Sequence, residues 1–266
     1  MHKINRMAII VLMIVFTFIQ EIKAQDADHL ELMTEHFPPF NFYSDGKLQG
    51  ISVDLLERIL EMIGSKLTRE DMQLLPWARA YRNALGKENT VLFMTNRNEL
   101  RENLFKWVGP IIPTEYGLIA KKDRGIRVSS RSEINQYKIG VVSKDYGEQL
   151  LETIGVDPAN VEPVSTGEIN VHKLNRHRID LWNYEVTVAA WIISQAGFDP
   201  DDYEVVFMLK QDIGSYYAFH RDTDDAIVTV FQGALDRLKV QEEGKPLSEF
   251  ESIVNRYVKR PIGPLQ

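Results

Sequence analysis

The chain of 266 residues contains no cysteine. That excludes disulfides, thiolate nucleophiles, zinc–thiolate sites, iron–sulfur clusters and any lipid carried through cysteine. Basic residues are in the minority, with 31 Lys and Arg against 38 Asp and Glu and a formal net charge of −7. An acidic balance argues against a general nucleic-acid binder, because the phosphate backbone rewards Lys and Arg clusters. The G-x-S-x-G elbow, the P-loop, the dinucleotide fingerprint and the H-E-x-x-H helix are all missing. Of the six histidines, His172 and His177 lie closest together, but five apart is the wrong spacing for one helical face, so no metal is expected. Linkers rich in Gly, Ser or Pro are missing too, as are repeats and low-complexity tracts. With 44% apolar and 26% charged residues the composition is that of a soluble globular protein, not of a disordered or multi-span membrane chain.

One long apolar run is present, Met7 to Ile19, broken only by Thr17. It falls short of the ~20 residues needed to cross a bilayer as a helix. Lys3 and Arg6 precede it and a small residue, Ala24, follows, the pattern of a secretory signal peptide over residues 1–24. Lys3, Arg6 and Lys23 against Glu21 give that segment a net +2, leaving −9 on the remainder. The expectation is a freely diffusing protein of the bacterial periplasm, soluble after cleavage.

Strand and helix signals then alternate. Leu30–Thr34, Val91–Thr95, Gly117–Ala120, Lys138–Val142, Ile179–Tyr184, Glu204–Leu209 and Tyr216–Phe219 read as strands. Val53–Ile63 carries Leu55, Leu56, Ile59, Leu60 and Ile63 on one helical face and stops at Gly64. Asp145 is placed to cap a helix running to Ile154, with Glu148 three residues on. Val186–Ala196 and Asp225–Val240 read as helices, and Ser248 with Glu251 opens a last one ended by Pro261. The alternation predicts α/β architecture with largely parallel sheets. Without a flexible tether, two lobes would have to be joined by ordered strands.

Five segments carry further information: TEHFPPFNF at 34–42 followed by Gly46 and Gly50, PWARA at 76–80, NRNELRENLFKWVGPI at 96–111, KIGVVSKDYGEQLLETIG at 138–155 and NRHRIDLWNYEVTVAAW at 175–191. In this order they resemble the type II periplasmic solute-binding proteins of the polar amino-acid type, bacterial extracellular solute-binding family 3, in a divergent branch marked by PWxRA and WVGPI. The likeness spans nearly the whole chain after residue 24. It implies a two-lobed fold of mixed sheets flanked by helices and a hinge of two crossover strands, at IIPTEYGLIA and SYYAFH. Lobe 1 is expected from 25–113 plus 219–266, and lobe 2, inserted between, from 114–218.

The resemblance also implies a site. Arg101 stands where the family grips a ligand α-carboxylate, and a planar guanidinium fork suits that task. Asn96 and Asn98 occupy positions where the family favours small hydroxyl residues. Glu185 matches the acid that receives the α-amino group; it is also placed to stabilise the start of the helix after it, and the two roles are compatible. Phe37, fixed by the Pro-Pro turn at a strand end, matches the aromatic lying over the ligand, and Trp77 is a second wall. Arg79 is either a ligand contact or a surface partner, and Glu35 lies on the same edge. In lobe 2, Lys144, Asp145 and Tyr146 sit between a strand and a helix N-terminus, where exposed N–H groups can take an anion; Asp145 is a cap first and a contact second. Arg97, Trp107 and Asp180 read as structural. The implied function is non-enzymatic capture of a small polar solute, an amino acid or related zwitterion, without cofactor or metal, by a monomer that hands its ligand to a membrane permease of ABC type. Two rivals stand beside it: an enzyme on the same scaffold resembling cyclohexadienyl dehydratase, with Glu185 or Glu35 as general acid, and a sensor feeding a signalling partner.

Overall fold

The computed structural model describes residues 27–257, so the proposed signal peptide and Pro261 lie outside the described residues. The chain builds one mixed sheet of nine strands with helices on its faces, and a small hairpin beside it. β1 (Glu31–Thr34) lies between β4 (Met72–Leu74) and β5 (Thr90–Asn96), parallel to both. Those three and β6 (Phe105–Val108) form one half of the sheet. In the other half, β8 (Ile139–Val142) runs parallel to β9 (Val161–Val164) and β10 (Leu181–Glu185), and β10 pairs antiparallel with β7 (Pro113–Lys121). The hairpin is β2 (Phe42–Ser44) with β3 (Lys47–Gln49).

The halves are joined by β11 (Tyr203–His220). Its first part pairs with β7 as far as Gly214↔Pro113, and from Ser215 onward it pairs with β5 and β6. Sequence reading expects two strands there, Glu204–Leu209 and Tyr216–Phe219. One strand is found, because the polar stretch Lys210-Gln211-Asp212 stays in the ladder with irregular register and Asp212 in the left-handed region. Both expected crossings, in β7 and β11, are extended and bonded to each other: Ile111 N–H donates to Ser215 O at 2.7 Å.

The helices follow their apolar faces. α1 (Ile51–Ile63) buries Leu55, Leu56, Ile59 and Leu60 and ends at Gly64 in the left-handed conformation glycine tolerates. It starts at Ile51, two residues before the sequence expectation, directly after Gly50, whose backbone packs so closely on Phe40 that a Cβ would meet Phe40 O at 2.3 Å. α2 (Trp77–Gly86) follows Pro76 and escapes sequence reading, being short and built largely on alanine. α3 (Tyr146–Thr153) is capped as expected: Asp145 Oδ1 accepts Glu148 N–H at 2.7 Å. α4 (Gly167–Asn175) is also unforeseen. α5 (Val186–Gln195), α6 (Asp225–Lys239) and α7 (Glu249–Tyr257) match their expected spans to within a residue or two, where those lie among the described residues. A large core gathers around the first half of the sheet and continues across to Tyr184, Val188 and Ile192, while a smaller one lies between Leu118, Ile139, Val141, Leu151 and Leu181. Among the described residues no helix is long and apolar enough to cross a membrane.

Candidate functional site

The carboxyl ends of β1, β5, β8 and β10 converge where the two halves of the sheet meet, the position at which open α/β sheets hold ligands. Arg101 lies in the turn after β5. Asn98 builds that turn, its Oδ1 accepting Arg101 N–H at 2.9 Å, and its Nδ2 reaches across to Gln149 Oε1 on α3 at 3.2 Å. The Arg101 guanidinium is 1% exposed and rests against two stacked rings of α2, 5.3 Å from Trp77 and 5.0 Å from Tyr81. Nη1 donates to Asn96 O at 3.3 Å, Nη2 to Lys144 O across the cleft at 3.4 Å, and Nε has no partner. Bonds of that length are weak. Burial lowers the pKa of Arg101 while Tyr81, Tyr116 and Asp145 favour its charge; a guanidinium keeps its proton regardless.

Three carboxyls lie around Tyr116, and two of them, Asp145 and Glu35, feel the Arg101 charge. Asp145 is buried at the N-terminus of α3; Oδ1 caps the helix and Oδ2 is unpartnered. Burial outweighs its backbone hydrogen bonds and pushes it to about 8. Glu185, buried at the N-terminus of α5, uses both oxygens: Oε2 accepts Val188 N–H at 2.7 Å and Oε1 accepts Glu115 N–H at 3.3 Å. Burial pushes it to about 7 against those bonds. Glu35, just past β1, is half-buried; loss of hydration and the charge of Asp145 push it well above the usual carboxylate range, and Arg101 pulls the other way.

Of the remaining residues singled out from sequence, Phe37 is buried beside the cis Pro38–Pro39 bond, with Phe40 at 5.6 Å and Tyr184 edge-on at 5.7 Å. Trp77 Nε1 donates to Lys144 O at 2.6 Å. Lys144 is exposed and left-handed at φ 64°, so its backbone and not its side chain faces the cleft wall. Tyr146 packs edge-on against Tyr116 at 5.0 Å. The side-chain amide of Asn96 is already engaged, donating to Thr114 Oγ1 at 2.7 Å and accepting from Tyr116 OH at 3.0 Å. Arg79 is exposed on the first turn of α2 and makes no ion pair or side-chain hydrogen bond among the described residues. Arg97 is structural as expected: it grips Glu102 with two bonds, at 2.7 and 2.5 Å, and lies over Trp107 and Tyr216.

Three tyrosines missed by sequence reasoning complete the walls. Tyr81 stands four residues after Trp77, a spacing readable once 77–86 is taken as a helix. Tyr116 is brought in by the register Glu185↔Tyr116 between β10 and β7, and Tyr184 by its place beside Glu185; neither carries a local signal. The site can therefore hold an anion by a buried, aromatic-backed guanidinium and a cation by acids opposite. Among the described residues no group of three His, Asp or Glu is arranged to hold a metal ion.

A cleft of this kind between two strand-linked halves defines a two-lobed periplasmic binding protein of type II. The chain belongs to the bacterial extracellular solute-binding proteins, family 3, whose model matches residues 32–250. No curated protein matches the chain. Among solved structures it is similar to an ancestral arginine-binding protein bound to arginine (TM-score 0.71, 18% identity, covering 87% of this chain and 99% of that one). It is similar also to an ABC uptake transporter substrate-binding protein from Streptococcus pneumoniae with bound histidine (TM-score 0.72, 17% identity, 87% and 93% covered). A histidine kinase sensor domain resembling periplasmic binding proteins superposes equally well (TM-score 0.72, 16% identity, 89% and 99% covered). At such identities the likeness is one of fold.

Proposed function

We propose that the protein captures a small polar solute in the periplasm, an amino acid or related zwitterion, by closure of lobe 1 (25–113 and 219–266) on lobe 2 (114–218), and delivers it to an ABC-type permease. The observation that carries this reading is the Arg101 guanidinium: sequestered, backed by two rings, its Nε unpaired and its one cross-cleft bond long. A ligand carboxylate would take the Nε–Nη2 edge and replace that weak bond by two charge-assisted ones. Asp145, with its spare Oδ2, and Glu185 stand on lobe 2 to receive an ammonium. Full contact then exists only with both lobes engaged, so ligand binding shifts the population to the closed form.

A thermal-shift screen of amino acids, small peptides, polyamines and organic acids tests this, since a ligand of the native state raises the melting temperature. Stabilisation by one or more zwitterions, confirmed by calorimetry, is expected; no response from any amino acid would sink the amino-acid reading. The likeness to a sensor domain favours a second reading, the same capture reported to a signalling protein in place of a permease. Co-purification of the ligand-loaded protein with membranes containing either the cognate permease or a kinase separates the two. Incubation with a cyclic acid of the prephenate type, followed by product analysis, tests the enzymatic alternative that the raised carboxyls keep open.

A further inference from the structure

The turn between α4 and β10 carries a group of cations that the cleft does not use. Ile169, His172, Lys173, Arg176 and Arg178 line a depression of about 190 Å³ on the surface. Lys173 is neutralised by Glu162 at 2.6 Å. Arg176 and Arg178 make no ion pair and no side-chain hydrogen bond among the described residues. The nearest acid of the segment, Asp180, is taken by Arg124 at 2.7 Å. Two guanidinium groups thus stay uncompensated in a chain with 38 acidic and 31 basic residues.

The backbone sets them there. α4 ends with Arg178 N–H bonded to Lys173 O at 2.9 Å and His177 N–H to Leu174 O at 3.1 Å. This is the double closure that normally has glycine at its left-handed position. Here that residue is His177, at φ 53°, a conformation that residues with a Cβ rarely adopt. The reversal puts Arg176 and Arg178 on the rim of one depression and sends His177 away, its Nδ1 3.4 Å from Arg124 Nη1. His172 is held edge-on against Phe198 at 5.9 Å, which orients its ring in the same wall.

We propose that this depression is a binding site for a phosphate-class oxyanion, gripped by the forked donors of Arg176 and Arg178. One guanidinium fork takes two acceptor oxygens; a phosphate has enough oxygens, tetrahedrally spread, to engage both forks at once, whereas the two oxygens of a carboxylate are filled by one. The neighbouring Ile169, 41% exposed, suits either the carbon frame of a phosphomonoester or the glycerol region of a lipid headgroup. The site is independent of the cleft and of the solute reading.

The test uses the full chain after residue 24 at low ionic strength, titrated with inorganic phosphate by calorimetry and by NMR of the His172 ring and arginine side chains. Saturable binding is expected, with the His172 signals moving. Arg176→Gln/Arg178→Gln should weaken it about tenfold or more while leaving circular dichroism and melting unchanged. Arg101→Ala should leave it intact. Cosedimentation with phosphatidylglycerol vesicles that disappears in the double variant would identify a lipid headgroup as the source; phosphate binding without cosedimentation would identify a soluble phosphate. The proposal is overturned if neither probe binds, if the double variant binds as well as the wild type, or if Arg101→Ala alone abolishes the phosphate response.

Discussion

The N-termini of α3 and α5 stand side by side on the wall of the cleft, and each is capped by a buried acid. At α5, Glu185 spends one oxygen on its own helix and the other on the Glu115 N–H of β7. At α3, the backbone donors that Asp145 meets, Glu148 N–H and Gly147 N–H, both belong to its own helix, and Oδ2 is without a hydrogen-bond partner. The charge on each is opposed by burial, more so at Asp145, which lies at about 8 against about 7 for Glu185. The extra methylene of glutamate lets one side chain serve two elements. The shorter aspartate serves one, and its spare lone pairs are the unspent capacity of this wall. A helix cap and a ligand contact are thus compatible roles, and what divides these two acids is how much bonding capacity the cap consumes.

That contrast can be tested in order of expected effect. It presupposes the cation opposite, so Arg101→Ala comes first: affinity for a carboxylate ligand should fall by ~2–5 kcal/mol in calorimetry, with the fold retained. Undiminished affinity would remove the reason for acids to matter here at all. Next, Asp145→Asn keeps an oxygen for the cap but loses the charge. It should cost ~1.5–3 kcal/mol of ligand affinity, the range for a hydrogen bond to a charged group, with little loss of melting temperature. Glu185→Gln should do the reverse, costing ~1 kcal/mol of stability as a weakened cap and less affinity than Asp145→Asn. A larger affinity loss at Glu185 would invert the comparison.

The titration of the two acids sharpens it further. Both have folded-state values well above the ~4 of an unfolded carboxylate. Between those limits the folded protein holds more protons than the unfolded chain, so stability falls as pH rises. The ligand-free protein should be fully stabilised by these groups only below about pH 4. It should lose that contribution progressively up to about pH 8, the upper part of the decline vanishing in Asp145→Asn. Melting curves from pH 4 to 9 measure this; stability rising from pH 5 to 8 would contradict it. A bound ammonium favours the ionised acids, so ligand affinity should climb over the same interval. The smallest effect is expected from Trp77→Phe, which removes the indole N–H donated to Lys144 O while keeping most of the ring under Arg101. Affinity should drop about three- to tenfold, for one hydrogen bond of ~1 kcal/mol, chiefly through faster release.

Much of the frame is legible without coordinates. Periodicity marks α1, α5 and α6, and the Asp145 cap is readable because Glu148 follows at capping distance. Arg101 and Asp145 could be named as partners only through the resemblance, since the turn after β5 and the turn after β8 are far apart in the chain. What escaped has physical reasons. α2 is short, and its buried stripe is Trp77, Ala80 and Ala84, mostly small residues that give a faint apolar signal between Arg79, Arg82 and Asn83; Trp77 and Tyr81 packing under Arg101 complete its inner face. Tyr116 gains its place from strand register, which no local pattern encodes. Asn96 points to the site in sequence, yet Thr114 and Tyr116 engage its amide, and only the pairing across strands reveals that.

The unbroken course of β11 has a bearing on how the molecule comes apart. Eighteen residues belong in turn to both halves of the sheet, so neither half owns a complete set of strands without the other. Heat or denaturant that frays one half strips hydrogen bonds from the spine of its neighbour. A protein with two lobes would then melt as one cooperative unit, and a protease could not release either lobe intact.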